Sequence, residues 1–217
     1  FQAEDGIRDF CLSRGLGDVY KRQLLNMLSL IDSPTTGSIV INNKKINTNN
    51  NVENDIIRAS KISLLILDVD GVLTDGGIYI DERGEESKKF YAQDGHGLLL
   101  IKNLGIEIAI ISGRFSKAVE QRGKELGIKN IIQDCRDKLK SFDDNFSQKY
   151  SYSQTCFVGD DIVDSNLLSK VGLSITVPNA NYVNHTTEPH WITPRKGGQG
   201  AVRDVCDLIC IAKKSVK

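Results

Sequence analysis

The string LLILDVDGVLTDGG at residues 64–77 constrains this chain more than any other feature. Its four leading apolar residues have the length and bulk of a strand buried on both faces. Such a strand delivers Asp68 and Asp70 to its C-terminal edge, where open α/β sheets bind ligands. Side chains alternate along an extended chain, so the two carboxylates, separated by Val69, lie on one side. Held that close, they repel each other unless a cation or a shared proton intervenes. An isolated Asp-x-Asp is more often a solvated acidic turn, but the longer string is far more restrictive.

Further apolar runs follow, alternating with amphipathic stretches: IEIAII at 106–111, NII at 130–132, TCFVG at 155–159 and LSITV at 173–177. Strands alternating with helices predict an α/β domain, a doubly wound, Rossmann-like parallel sheet. The chain changes character near residue 60, because the tract 42–54 is polar and asparagine-rich, as turns and linkers are. The expected division is therefore 1–60 and 61–217. Basic and acidic residues number 28 each, which removes any electrostatic case for nucleic acid or an anionic membrane as partner. No apolar run approaches the ~18 residues of a membrane span, and no secretory signal is expected. The five cysteines are odd in number and form no CxxC pair, so they read as free thiols suited to a reducing cytoplasm.

Three other segments carry polar chemistry. Ser112 in AIISGR (109–114) ends an apolar strand, where its hydroxyl either caps a helix or meets a phosphoryl oxygen. CRDKLKSF (135–142) places Lys138 in the helical stretch after the third strand, with Lys140 as a near competitor. VGDDIVDSNLL (158–168) again ends a strand in carboxylates, Asp160 and Asp161, with Asp164 one helical turn on. An acidic helix N-terminus is the plainer account of that last group.

Taken in order, these motifs and the match of DVDGVLTDG to DxDGVxTDG resemble the haloacid dehalogenase superfamily of phosphatases. The resemblance implies Asp68 as nucleophile, Asp70 as general acid and base, and Ser112 and Lys138 on the transferring phosphoryl group. It also implies Mg2+ held by Asp68, Asp160 and the backbone carbonyl of Asp70, with Asp161 and Asp164 as outer support. Over residues 62–215 the chain is similar, more narrowly, to the 3-deoxy-D-manno-octulosonate 8-phosphate phosphatase family. The matching strings are DVDGVLTDGGIYID, F-x-x-x-DGHG (90–97), GIEIAIISGR, VGDDIVD, VGLSITV and GGQGAVRDVCD (197–207). That family is capless: a β-hairpin insertion, here IYIDERGEESKKFY turning at Glu82-Arg83-Gly84, replaces a separate cap domain. The resemblance implies a homotetramer in which one subunit's tail closes a neighbour's site; Arg195, Lys196 and the GGQG run resemble that closing segment. It names Asp94, Gly95, Gly97 and Arg114 for the sugar-acid phosphate. Arg114 would pair with the substrate carboxylate, where phosphatases of nine-carbon sialic-type acids are expected to carry glutamate.

The N-terminal part resembles other things. Residues 1–23 resemble a translated sequencing adapter, and residues 24–46 resemble a fragment of an ABC transporter ATPase downstream of its phosphate loop. No GxxxxGK[ST] precedes that fragment, so an ABC-type nucleotide-binding protein is disfavoured. Residues 1–60 are thus expected to be a chimeric, poorly ordered extension. Two rivals remain within the phosphatase class, a sialic-type sugar-acid phosphatase and a phosphatase-like oligomerisation module.

Overall fold

The computed structural model describes residues 39–41, 44–46, 51–181 and 188–215. The adapter-like stretch at 1–23 and residues 24–38 of the ABC-like fragment lie outside the described residues, as does Cys11. The chain divides into two compact units, Phe1–Asn54 and Asp55–Lys217. In the first, β1 (Ile39–Ile41) pairs antiparallel with β2 (Lys44–Ile46), Val40 opposite Lys45.

The second unit is the expected α/β domain, but it begins earlier than residue 61. Helix α1 (Asn51–Ser60) occupies the end of the tract that reads as linker. Its residues 55–60 belong to the domain: Ala59 is fully buried, Ile56 packs on the core, and Arg58 donates to the Gly172 carbonyl at 3.0 Å. One and a half turns with two apolar contacts are too short a period to stand out among asparagines.

Six strands then form one parallel sheet in the order β10-β9-β8-β3-β6-β7. They are β3 (Leu64–Leu67), β6 (Glu107–Ile111), β7 (Asn130–Ile132), β8 (Thr155–Val158), β9 (Leu173–Thr176) and β10 (Trp191–Ile192). Five match the apolar runs to within a residue at either end. The sixth, β10, carries only two residues. It follows His190, whose Nδ1 accepts the Ser174 N–H at 2.9 Å.

The central strand shows why the sheet is covered on both faces. Leu65 and Leu67 point into one core with Leu98, Ile101, Val205 and Ile209, while Leu64 and Ile66 point into the other with Phe142, Phe157 and Leu167. The first core belongs to α2 (Ala92–Asn103), α3 (Lys117–Glu125) and α6 (Ala201–Ser215). The second belongs to α4 (Lys138–Asn145) and the short α5 (Ser165–Leu168). A run of four fully buried apolar residues is what a strand with two buried faces requires.

Between β3 and α2 there is only a hairpin, β4 (Tyr79–Ile80) and β5 (Glu86–Ser87), with Ile80 opposite Glu86. The Asp81 carboxylate accepts the N–H groups of Arg83 and Glu85 at 2.9 and 2.8 Å, and Gly84 takes φ +80°. No separate cap domain interrupts the described residues. Among them, no helix is long and apolar enough to cross a membrane. The described cysteines, Cys135, Cys156, Cys206 and Cys210, are free.

Asp94, almost completely buried, accepts the Arg203 N–H at 2.7 Å and thereby caps the first turn of α6 from a neighbouring helix. Burial pushes its carboxyl up to about 6. Asp94→Ala is expected to cost about 1–2 kcal/mol, the loss of a helix cap, read as a lower urea midpoint with an unchanged slope.

Candidate active site

The site lies along the C-terminal edges of β3, β6 and β8, neighbours in the sheet. Asp68 follows β3 directly, and its N–H donates to Val158 O at 3.0 Å, which registers it against β8. The chain then turns back sharply: the N–H groups of Val72, Leu73 and Thr74 all converge on Val69 O. Gly71 takes φ +86° inside this turn, and a Cβ there would run into the Asp160 carboxylate. Glycine is required twice over, by the dihedral and by the close approach.

Asp160 follows β8, and its N–H donates to Asp164 Oδ2 at 2.9 Å, with the Asp161 N–H on the same oxygen at 3.2 Å. The other Asp164 oxygen is paired with Lys138 Nζ at 2.5 Å. Fully buried and engaged on both oxygens, Asp164 orients the loop and the lysine. Asp161 is exposed and caps the next turn by accepting the Ile162 N–H at 2.7 Å.

Lys138 is the cation of the cluster. It opens α4, whose N-cap Asp137 accepts the Lys140 N–H at 3.0 Å. Its buried ammonium lies 2.8 Å from Asp68 Oδ1 as well as against Asp164. Burial works against its charge, but the two carboxylates outweigh it and hold its pKa above the ordinary lysine range. Lys140 turns away into solvent and pairs with Asp144. Geometry thus separates Lys138 from Lys140, its near competitor in the sequence.

Ser112 stands at the end of β6, buried, with its Oγ accepting the Arg114 N–H at 3.3 Å. Arg114 itself is 44% exposed and reaches across to the hairpin, 2.5 Å from Glu86 Oε2 and 4.0 Å from Asp70 Oδ2. Asp70, partly exposed, is not one of the three clustered carboxylates and pairs with Lys88, whose Nζ is 2.5 Å from its Oδ1.

The remaining expected residues have architectural surroundings. Asp94 caps α6, a Cβ at Gly95 would strike Arg122, and a Cβ at Gly97 would strike Arg203 and Cys206. Both glycines therefore let helices approach closely. The GGQG run lies against its own chain: Gly198 N–H donates to Val72 O at 3.1 Å, and side chains at 197 or 198 would collide with the turn at 71–75. Within the subunit it supports the turn at 71–75. Arg195 is engaged with Asp204 and Gln93.

Three side chains escaped the sequence reading. Lys88 and Glu86 sit two apart on the hairpin, a spacing that places them on one face and was open to notice. Asn179 gave no local signal. Its Nδ2 donates to Gly71 O at 3.1 Å and its Oδ1 accepts the Gly197 N–H at 2.9 Å, joining the turn after Asp68 to the GGQG run.

Electrostatically the cluster is short of positive charge. Asp68, Asp160 and Asp164 bring oxygens within 4.8 Å of one another, with one ammonium among them. Burial, then the charges of Asp68 and Asp164, push Asp160 up to about 8. Burial raises Asp68 to about 6 although Lys138 opposes the shift. Desolvated carboxylates in mutual repulsion, presenting hard oxygens, fit a small divalent cation such as Mg2+. Cation uptake requires both groups ionised, so near pH 7 it displaces protons, and apparent affinity rises with pH up to about 8. Titration calorimetry with Mg2+ in two buffers of different ionisation enthalpy is expected to give different heats near neutrality and converging heats about two pH units higher. Identical heats at neutrality would contradict this account.

Comparison with known proteins agrees with this geometry. No family model matches the chain. The 3-deoxy-D-manno-octulosonate 8-phosphate phosphatase of Yersinia pestis is 40% identical over 168 residues, covering 76% of this chain and 89% of that protein. Its namesake in Escherichia coli K12 is 43% identical over 159 residues, covering 73% and 84%. Among solved structures, the Yersinia pestis enzyme superposes with a TM-score of 0.73 at 37% identity, over 84% of this chain and 96% of that one. The Moraxella catarrhalis phosphatase, solved with a magnesium ion, a phosphate ion and a 3-deoxy-D-manno-octulosonate (KDO) molecule, gives 0.71 at 41% identity, over 75% and 94%. With its tight turn after Asp68, buried lysine and acidic cluster on one sheet edge, the chain belongs to the 3-deoxy-D-manno-octulosonate 8-phosphate phosphatase family of the haloacid dehalogenase superfamily.

Proposed function

We propose that this protein hydrolyses 3-deoxy-D-manno-octulosonate 8-phosphate to the free sugar acid and phosphate, through an aspartyl-phosphate on Asp68. The observation that carries this reading is the meeting of Asp68, Asp160, Asp164 and Lys138 in one buried cluster. A carboxylate oxygen of Asp68 attacks phosphorus as the bond from phosphorus to the sugar oxygen breaks. The electron pair of that bond goes to the sugar oxygen, which takes a proton from the Asp70 carboxyl. In the second half, Asp70 takes a proton from water as the water oxygen attacks phosphorus, and Asp68 leaves as carboxylate. Lys138 would neutralise charge on the phosphoryl oxygens and the Ser112 hydroxyl would donate a hydrogen bond to one of them. Asp68, Asp160 and the Asp70 carbonyl would hold Mg2+, which supplies further positive charge to the transferring group.

Arg114 is the proposed partner of the sugar carboxylate. It is exposed, beside Asp70, and its planar fork suits a carboxylate. A lysine and a nucleophile buried in contact also favour catalysis over a purely oligomerising module. Phosphate release from the octulosonate ester is expected to require Mg2+ and to fall by at least about 1,000-fold in Asp68→Asn, since the nucleophile itself is lost. Equal turnover of a sialic-type ester would keep the chemistry and discard the substrate.

We further infer a cytoplasmic homotetramer. Free cysteines fit a reducing compartment. Ile78 and Ile80, two apart on the hairpin and so on one face, are 57% and 65% exposed, apolar surface of the kind that copies of a chain cover mutually. Ile80→Lys is expected to lower the mass measured by light scattering; an unchanged tetramer would place the interface elsewhere.

A further inference from the structure

We propose that the hairpin is part of the catalytic apparatus, with Lys88 as the positioning residue that aims the Asp70 carboxyl at the leaving oxygen. This rests on the reading of Asp70 as proton donor. The Lys88 side chain is only 1% exposed, and lysines are almost never that buried unless paired. Its ammonium touches Asp70 Oδ1 at 2.5 Å and Glu86 Oε1 at 2.9 Å. Glu86 in turn holds Arg114 through its other oxygen, and Arg114 stands 4.0 Å from Asp70 Oδ2. The four charges alternate in sign around a closed ring that joins the hairpin, the nucleophile turn and the loop after β6.

The hairpin is already held to the body by Glu86 on Arg114, whereas the pair of Lys88 with Glu86 lies within the hairpin itself. The added contact with Asp70 has a different consequence. The turn fixes the backbone around Asp70, but among the described residues Lys88 is the hydrogen-bond donor to its carboxylate. With Oδ1 engaged, Oδ2 is the oxygen left to carry the transferred proton. A carboxyl free to swing would spend less time within reach of the ester oxygen, and misplacement of that size slows a reaction without changing its chemistry.

The test uses the full chain with Mg2+ and two esters, comparing kcat/KM, which reports steps up to formation of the aspartyl-phosphate. The octulosonate ester must expel an alkoxide that needs a proton, whereas p-nitrophenyl phosphate expels a phenolate that does not. Lys88→Met is expected to lose roughly 10- to 100-fold on the sugar ester and no more than about threefold on the aryl ester. Lys88→Arg, which keeps a donor and a positive charge, is expected to lose less on the sugar ester. Asp70→Asn sets the scale. If it discriminates between the esters and Lys88→Met does not, the Lys88 proposal is overturned while the role of Asp70 stands. If Asp70→Asn itself fails to discriminate, both fall. Equal losses on the two esters in Lys88→Met, with a melting curve matching the parent, would mean a structural role alone.

Discussion

The buried ammonium of Lys138, wedged between Asp68 and Asp164, is the interaction on which the rest of the site depends. Three desolvated carboxylates cannot all stay ionised in so small a volume without positive charge, and removing a partner from such a buried pair typically costs about 3–5 kcal/mol. The lysine is held in turn by packing. It opens α4, and Phe142 on that helix and Phe146 just past its end are buried in the core on that face of the sheet. The rigidity of one hydrophobic face is thereby passed to the groups that carry the chemistry.

Parallel topology explains why the site forms where it does. All six strands run the same way, so every strand delivers its following loop to one edge of the sheet. Because β3 lies between β8 and β6, Asp68 acquires Asp160 on one side and Ser112 on the other. The junction is tightened by backbone contacts that tolerate little bulk: Gly71 against Asp160, and the GGQG run against the turn at 71–75 through Asn179. The glycines of this region serve close packing as much as ligand approach, and the same holds for Gly95 and Gly97 between helices.

Much of the fold was legible because it is encoded in local periods. Runs of buried apolar residues marked five strands, and a carboxylate or hydroxyl after three of them marked the site. The failures share a cause. Strand β10 has two residues and α1 offers the core barely more than one turn, so neither contains enough period to detect. Their placement comes from contacts made far along the chain, such as Ser174 with His190 and Arg58 with Gly172.

By itself the sequence determined five of the six strands and the polar residues that follow them, Asp68 among them, since each is written in a few adjacent residues. Only the tertiary structure decided which charges meet. Lys138 and Lys140 are alike in sequence, yet one is buried against Asp68 and the other reaches solvent, because a helix turns about 100° per residue and only one face meets the sheet. Lys88 and Asp70 lie 18 positions apart and meet because the hairpin folds back over the nucleophile turn. Coulombic partners are set by distance in space, and no local period encodes that distance.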